Sequence, residues 1–175
     1  MAKINISDEI AYDRKTVFET FRDHLTELLP YLPTVENITV EKREEEDGQV
    51  DIVNLWKASG EEVPRIAQAF IKPDMLQWHD YATWKNETWT CHWEMKVGFL
   101  PGAVTCKGTT RYDEKNGKTK IIMDGDLKVD ASKIPGVPRL VAGRVGDAVE
   151  GFVVKLITPN LTEVNRGMEK YLAKK

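Results

Sequence analysis

Between Pro138 and Lys175 the chain reads as one long amphipathic helix, and a helix of that length dictates what else the fold must contain. Val141, Val145, Ala148, Val149, Phe152, Val153, Leu156 and Ile157 recur at helical spacing, with Arg144, Asp147, Glu150 and Lys155 between them. Leu161, Val164, Met168, Tyr171 and Leu172 carry the register on. Pro138 suits a first helical turn, where its missing N–H costs nothing. Pro159 removes one backbone hydrogen bond in the middle, and the continuing register predicts a kink there rather than a break. Roughly 35 residues at about 1.5 Å each reach roughly 50 Å. Such a helix must lie across something broad.

The breadth comes from strands. Ile4 and Ile6 mark a first strand ending near Tyr12. Asp13 follows as an N-cap for one helix, or two short ones with a bend, carrying Val17, Phe18, Phe21, Leu25, Leu28, Leu29 and Leu32. Pro30 and Pro33 end it. Val35–Ala58 reads as a hairpin turning at Asp47-Gly48, and the charges from Glu41 to Asp47 read as its solvated end. Residues 60–76 fit either a short helix or an irregular strand. From Trp78 onward a period of two holds through four segments, ending with Val129. Lys85-Asn86-Glu87, Pro101-Gly102 and Asn116-Gly117 supply the turns.

The expected architecture is therefore α+β: a curved antiparallel sheet of about seven strands wrapped on the long helix, as one domain over residues 1–175. A curled sheet closed by a helix leaves a space between them. The inward residues are Trp56, Trp78, Trp93, Met95, Cys106, Tyr112, Met123, Phe152, Leu156 and Met168, with Gly108 and Gly125 leaving room among them. The competing expectation is a solid core filled by the same side chains. Gly143, Gly146, Gly151 and Pro159 weaken the closing helix, which makes it a candidate lid over that space.

Composition narrows the function. Hydrophobic residues make up 41% of the chain and the net charge is −3, which argues against a nucleic-acid partner. The first residues lack the apolar core of a signal peptide, and no run approaches a membrane span, so a cytoplasmic protein without integral membrane contact is expected. Cys91 and Cys106 fit buried, reduced thiols on adjacent strands, placed as neighbours across the Gly98–Ala103 turn. His24, His79 and His92 are scattered, so no metal site is expected. No phosphate-binding, dinucleotide or hydrolase motif appears, and no cofactor is expected.

Two polar residues fall on inward positions: Asn54 between Ile52 and Trp56, and Asp80 between Trp78 and Ala82. In a cavity, Asp80 is placed to abstract a proton α to a carbonyl, with Asn54 or Tyr112 holding the oxyanion. The alternative puts Asp80 near a strand end, facing water or Arg111.

The order of elements, the entry through Asp13 and the stretch Leu29-Pro30-Tyr31-Leu32-Pro33 resemble the START-related (SRPBCC) helix-grip superfamily. Its members include pollen-allergen proteins, lipid-transfer domains and polyketide cyclases. Leu76-Gln77-Trp78 and Lys133-Ile134-Pro135-Gly136-Val137-Pro138-Arg139 look like stretches of uncharacterised bacterial members. The resemblance implies a tunnel for a hydrophobic small molecule such as a lipid, sterol or polyketide. Three functions follow: a carrier of that ligand, a polyketide cyclase or dehydratase in the same cavity, or a ligand-free interaction module using the sheet's outer face or edge.

Overall fold

The computed structural model describes residues 1–59, 76–98 and 101–175, with all their side chains except those of Val149, Phe152, Val153 and residues 155–161. The alternative readings for residues 60–76 fall almost wholly outside the described residues.

Seven strands form one antiparallel sheet: β1 (Ala2–Ile10), β2 (Val35–Glu46), β3 (Gln49–Ala58), β4 (Gln77–Lys85), β5 (Thr90–Val97), β6 (Val104–Lys115) and β7 (Lys118–Val129). Their spatial order is β1-β7-β6-β5-β4-β3-β2. After β1 the chain crosses to the far edge through α1 (Arg14–Asp23) and a 3-10 helix (Leu25–Tyr31), then returns strand by strand. The C-terminal helix α2 (Ala142–Leu172) packs against β1, β7, the 3-10 helix Leu25–Tyr31 and a short 3-10 turn, Ala131–Lys133. This is the helix-grip arrangement.

Local chemistry explains the elements. Asp13 caps α1, accepting from the Thr16 N–H at 2.9 Å and from the Thr16 hydroxyl at 2.7 Å. The helix stops at His24, and the shorter 3-10 turn takes over with Pro30 inside it, so the predicted helix is two pieces. Asp47-Gly48 and Asn116-Gly117 both take left-handed dihedrals, as two-residue hairpins require. Trp89 also has a positive φ, of 54°, and β5 begins at the residue after it. Its indole packs edge-on to Phe18 at 5.2 Å, with the Arg14 guanidinium 4.5 Å over the ring.

Helix α2 starts at Ala142, not at Pro138. The Pro138 carbonyl instead accepts the Val141 N–H in a preceding turn, leaving Leu140 99% exposed. The backbone remains helical through Pro159, so the helix does not break there. Glu150, expected among the solvent-facing charges, is buried and accepts the Val129 N–H at the end of β7 at 2.7 Å. Gly146 lies where a Cβ would come within 2.8 Å of the Val129 carbonyl, so helix and sheet approach closely. Farther along, Asn165 donates to Asp8 at 2.9 Å and Arg166 to the same carboxylate at 2.5 Å. Two polar clamps thus hold α2, one onto β7 and one onto β1.

On the inner face, Phe18 of α1 packs edge-on against Trp84 and Tyr112 at 5.1 and 5.3 Å. Val50, Ile52, Ala82, Cys91 and Ile121 fill the sheet beneath. Gly108 and Gly125 stand opposite each other on β6 and β7, and they do not leave space. A Cβ on Gly108 would lie 2.6 Å from the Trp93 ring, and one on Gly125 also 2.6 Å from it. The indole occupies the room that two missing side chains provide, and its N–H donates to Thr110 at 3.1 Å.

Candidate functional site

The site builds from cross-strand pairs along the inner faces of β3, β4 and β5. Asn54 stands opposite Asp80, and Asp80 opposite Met95. Met95 in turn faces Cys106 on β6. One step along the strands, Trp56 stands opposite Trp78, their rings stacked 5.8 Å apart and 12° from parallel. Period-two alternation places all of these on the face that carries Ile52, Ala82 and Trp93.

Asp80 is the fourth residue of the nine in β4, well inside the strand, and Arg111 instead pairs with Asp113 at 3.1 Å. Asp80 is thus neither at a strand end nor paired with Arg111, contrary to the alternative expectation. Burial raises its pKa from 3.8 to about 6, although hydrogen bonds from Asn54 and Trp56 partly offset the rise. Asp80 as a residue nonetheless keeps accessible surface, as do Trp56, Trp78 and Met95. Asn54 is 4% exposed, and among the described residues its Oδ1 has no hydrogen-bond partner.

The other expected site residues separate by burial. Met123 is half-buried, opposite Thr110 on β6 and Ile6 on β1. Trp93, Cys106, Tyr112 and Met168 are buried core. The side chains of Phe152 and Leu156 lie outside the described residues. Tyr112 sits in the aromatic cluster under α1, its pKa raised by burial and further by Cys91 and Asp80. Burial also raises the Cys91 thiol, and pushes Cys106 up to about 11, with the Asp80 charge adding to both. Neither cysteine is an activated nucleophile. They are also not neighbours: Cys91 faces Thr110 and Cys106 faces Met95, four positions apart along the sheet.

The Trp56 N–H as a partner of Asp80 was missed by the sequence reading, which counted Trp56 only as apolar lining. Its position two residues from Asn54 on the same face carried the signal. The histidines stay apart: His24 contacts Glu27 at 2.7 Å, His79 contacts Glu41 at 3.0 Å, and His92 contacts Thr109 at 2.9 Å. Among the described residues no cluster of metal-ligating side chains occurs, and no helix is long and apolar enough to cross a membrane.

The outer face carries an open depression of about 840 Å³, over the backs of Gly108 and Gly125. Its rim includes Lys3, Asn5, Tyr81, His92, Asp124 and Asp126. These groups largely satisfy one another, as in the Lys3–Asp126 ion pair at 2.5 Å.

Solved structures share this fold. The ZhuI aromatase/cyclase from Streptomyces sp. R1128 is 12% identical, covering 97% of this chain and 92% of its own, with a TM-score of 0.66. A protein from Thermus thermophilus is 16% identical, covering 97% and 95%, with a TM-score of 0.65. Truncated norcoclaurine synthase from Thalictrum flavum is 16% identical, covering 99% and 94%, with a TM-score of 0.58. No curated protein matches the chain. Residues 6–172 match the model of one family, described as protein of unknown function (DUF2505), and the chain belongs to that family.

Proposed function

We propose that this protein binds an apolar small molecule between the inner face of β3–β5 and the C-terminal helix. One observation carries the reading. Asp80 retains accessible surface, yet protein encloses its carboxyl so thoroughly that burial dominates its pKa. A half-buried carboxylate in the middle of the sheet's inner face, beside half-buried aromatic rings, fits the wall of a ligand space. Trp56, Trp78 and Met95, also half-buried on that face, supply its apolar wall. Phe152 and Leu156 of the helix are proposed to complete it. The likeness to aromatase/cyclase and norcoclaurine synthase structures supports placing the chain in the START-related superfamily.

Native mass spectrometry of protein purified without detergent tests this directly, because a co-purifying ligand adds its mass. A neutral apolar fluorophore should also bind the folded protein at one site and be displaced by other apolar molecules. Fluorophore binding that appears only as the protein unfolds would mean a filled interior.

The Asp80 pKa of about 6 favours a second reading, a cyclase or dehydratase in the same space. A carboxylate poised near neutrality can take a proton α to a carbonyl, and the Asn54 amide beside it can donate to the developing oxyanion. Deuterium exchange into a bound β-dicarbonyl compound tests this: the reading requires exchange faster than in buffer alone, and loss of that acceleration in Asp80→Asn.

A further inference from the structure

We propose that the ligand of this space carries a protonated amine, held by the Asp80 carboxylate and the Asn54 Oδ1 and flanked by the stacked rings of Trp56 and Trp78. The inference rests on the reading of the inner face as a binding site, and it names the chemical class that such a site selects.

The polar groups that converge there leave acceptor capacity open. Asp80 receives hydrogen bonds from Asn54 and Trp56, but a carboxylate has about four acceptor positions. Among the described residues it has no ion-pair partner. The Asn54 Oδ1 beside it is buried and accepts no hydrogen bond from the described residues. Leaving such an acceptor unpaired is costly, and a ligand that donates to it recovers that cost. Residues directly opposite on antiparallel strands have Cβ atoms about 5 Å apart, so one ammonium group with two or three hydrogens can reach both oxygens.

The apolar wall has the same preference. Indole faces carry negative quadrupole potential and attract cations, most strongly where water is excluded. Trp56 and Trp78 stack two residues along the strands from the Asn54–Asp80 pair, on the same face. A carboxylate ligand placed at the same point meets like charge, and a neutral alcohol offers one hydrogen and no charge. Met95, half-buried opposite Asp80, gives the ligand body an apolar, polarisable surface. The selected molecule is an amphiphile with a cationic nitrogen and a hydrophobic body.

Three probes of equal chain length test this on the intact protein: dodecylamine, dodecanol and dodecanoate, each below its aggregation threshold, titrated calorimetrically at pH 8. The amine should bind at least tenfold more tightly than the alcohol, and dodecanoate most weakly. Asp80→Asn should abolish the amine's advantage over the alcohol. Alcohol or dodecanoate binding as tightly as the amine overturns the proposal while leaving the cavity intact. An amine advantage that survives Asp80→Asn also overturns it, because the cation then sits elsewhere. If none of the three binds, the cavity reading itself fails. The ranking in the native protein decides the matter even where the variant does not fold.

Discussion

Asn54 and Asp80 face each other across β3 and β4, and the amide donates to a carboxylate that burial would otherwise keep protonated to still higher pH. The folded-state pKa of about 6 lies above the ordinary 3.8, so folding binds a proton between those values. The stabilising contribution is complete below about pH 4 and is lost as pH rises through 6. At about 1.4 kcal/mol per tenfold in proton affinity, the loss is on the order of 3 kcal/mol. Cys91, Cys106 and Tyr112, the titratable groups that feel the Asp80 charge, have raised pKa values and stay neutral across this window. Asp80→Asn should therefore gain stability relative to the native protein between pH 4 and pH 8. Urea unfolding of both proteins across that range checks it, and a pH-independent difference would mean that Asp80 is solvated.

The clamp between β1 and α2 has the opposite sign. Burial acts to raise the Asp8 pKa, but hydrogen bonds from Asn165 and Arg166 more than cancel it, and the pKa is lowered overall. Its contribution is present above the ordinary carboxylate pKa and disappears as pH falls below the lowered value. Arg166 is partly exposed, so solvent screening limits the ion pair to about 1 kcal/mol. Arg166→Gln should cost that much at pH 7 and less at pH 2–3. Hydrogen exchange at pH 7 should show faster opening of the last turns of α2 than in the native protein.

Gly108 has no room for even a methyl group. A Cβ there would sit 2.2 Å from the Asp124 carbonyl oxygen and 2.6 Å from Trp93. Gly108→Ala should destabilise by about 1–3 kcal/mol or more and expel the indole, shifting Trp fluorescence to the red. Gly143 offers the contrast, since nothing lies within 4 Å of a Cβ there and the residue is helical. Gly143→Ala should stabilise by up to about 1 kcal/mol. Equal effects of the two substitutions would contradict the packing described.

Cys91 and Cys106 should both react with a thiol reagent in denaturant and hardly at all in the native state, both being buried and free. Four positions along a strand separate them by roughly 13 Å, well beyond the limit of about 7 Å between Cα atoms for a disulfide. Mild oxidation of the folded protein should therefore leave two free thiols. An intramolecular bridge formed without unfolding would show that the β5–β6 register is different.

The strands were legible because each repeats a two-residue alternation, and the hairpins because Asp47-Gly48 and Asn116-Gly117 favour left-handed dihedrals. Asn54 and Asp80 stood out as polar residues in apolar phase, which is how their pairing could be anticipated. What escaped depends on shape. Nothing in the alternation says that the Trp93 ring fills the space over Gly108 and Gly125, since that depends on how closely β6 and β7 approach. Pro138 fits a helix start locally, yet the helix begins at Ala142 after the turn from Pro138 to Val141. Glu150 reads as solvent-facing by periodicity, but it is recruited by a backbone N–H at the end of β7. The thiols were misplaced by treating adjacent strands as equivalent to opposite residues.

The pairing of β1 with β7 sets an order of events in folding. Ala2 finds its partner at Leu127 and Ile10 at Thr119, so β1 cannot be seated until β7, more than a hundred residues later in the chain, has been made. Phe18 likewise waits for Trp84, Trp89 and Tyr112. Contacts this distant carry a large loop-closure cost and slow the search. The β2–β3, β4–β5 and β6–β7 hairpins can form locally while the N-terminal segment remains unattached. On a ribosome, β1 therefore waits as an unpaired strand while β2 to β6 are made, and the sheet closes only after β7 has emerged.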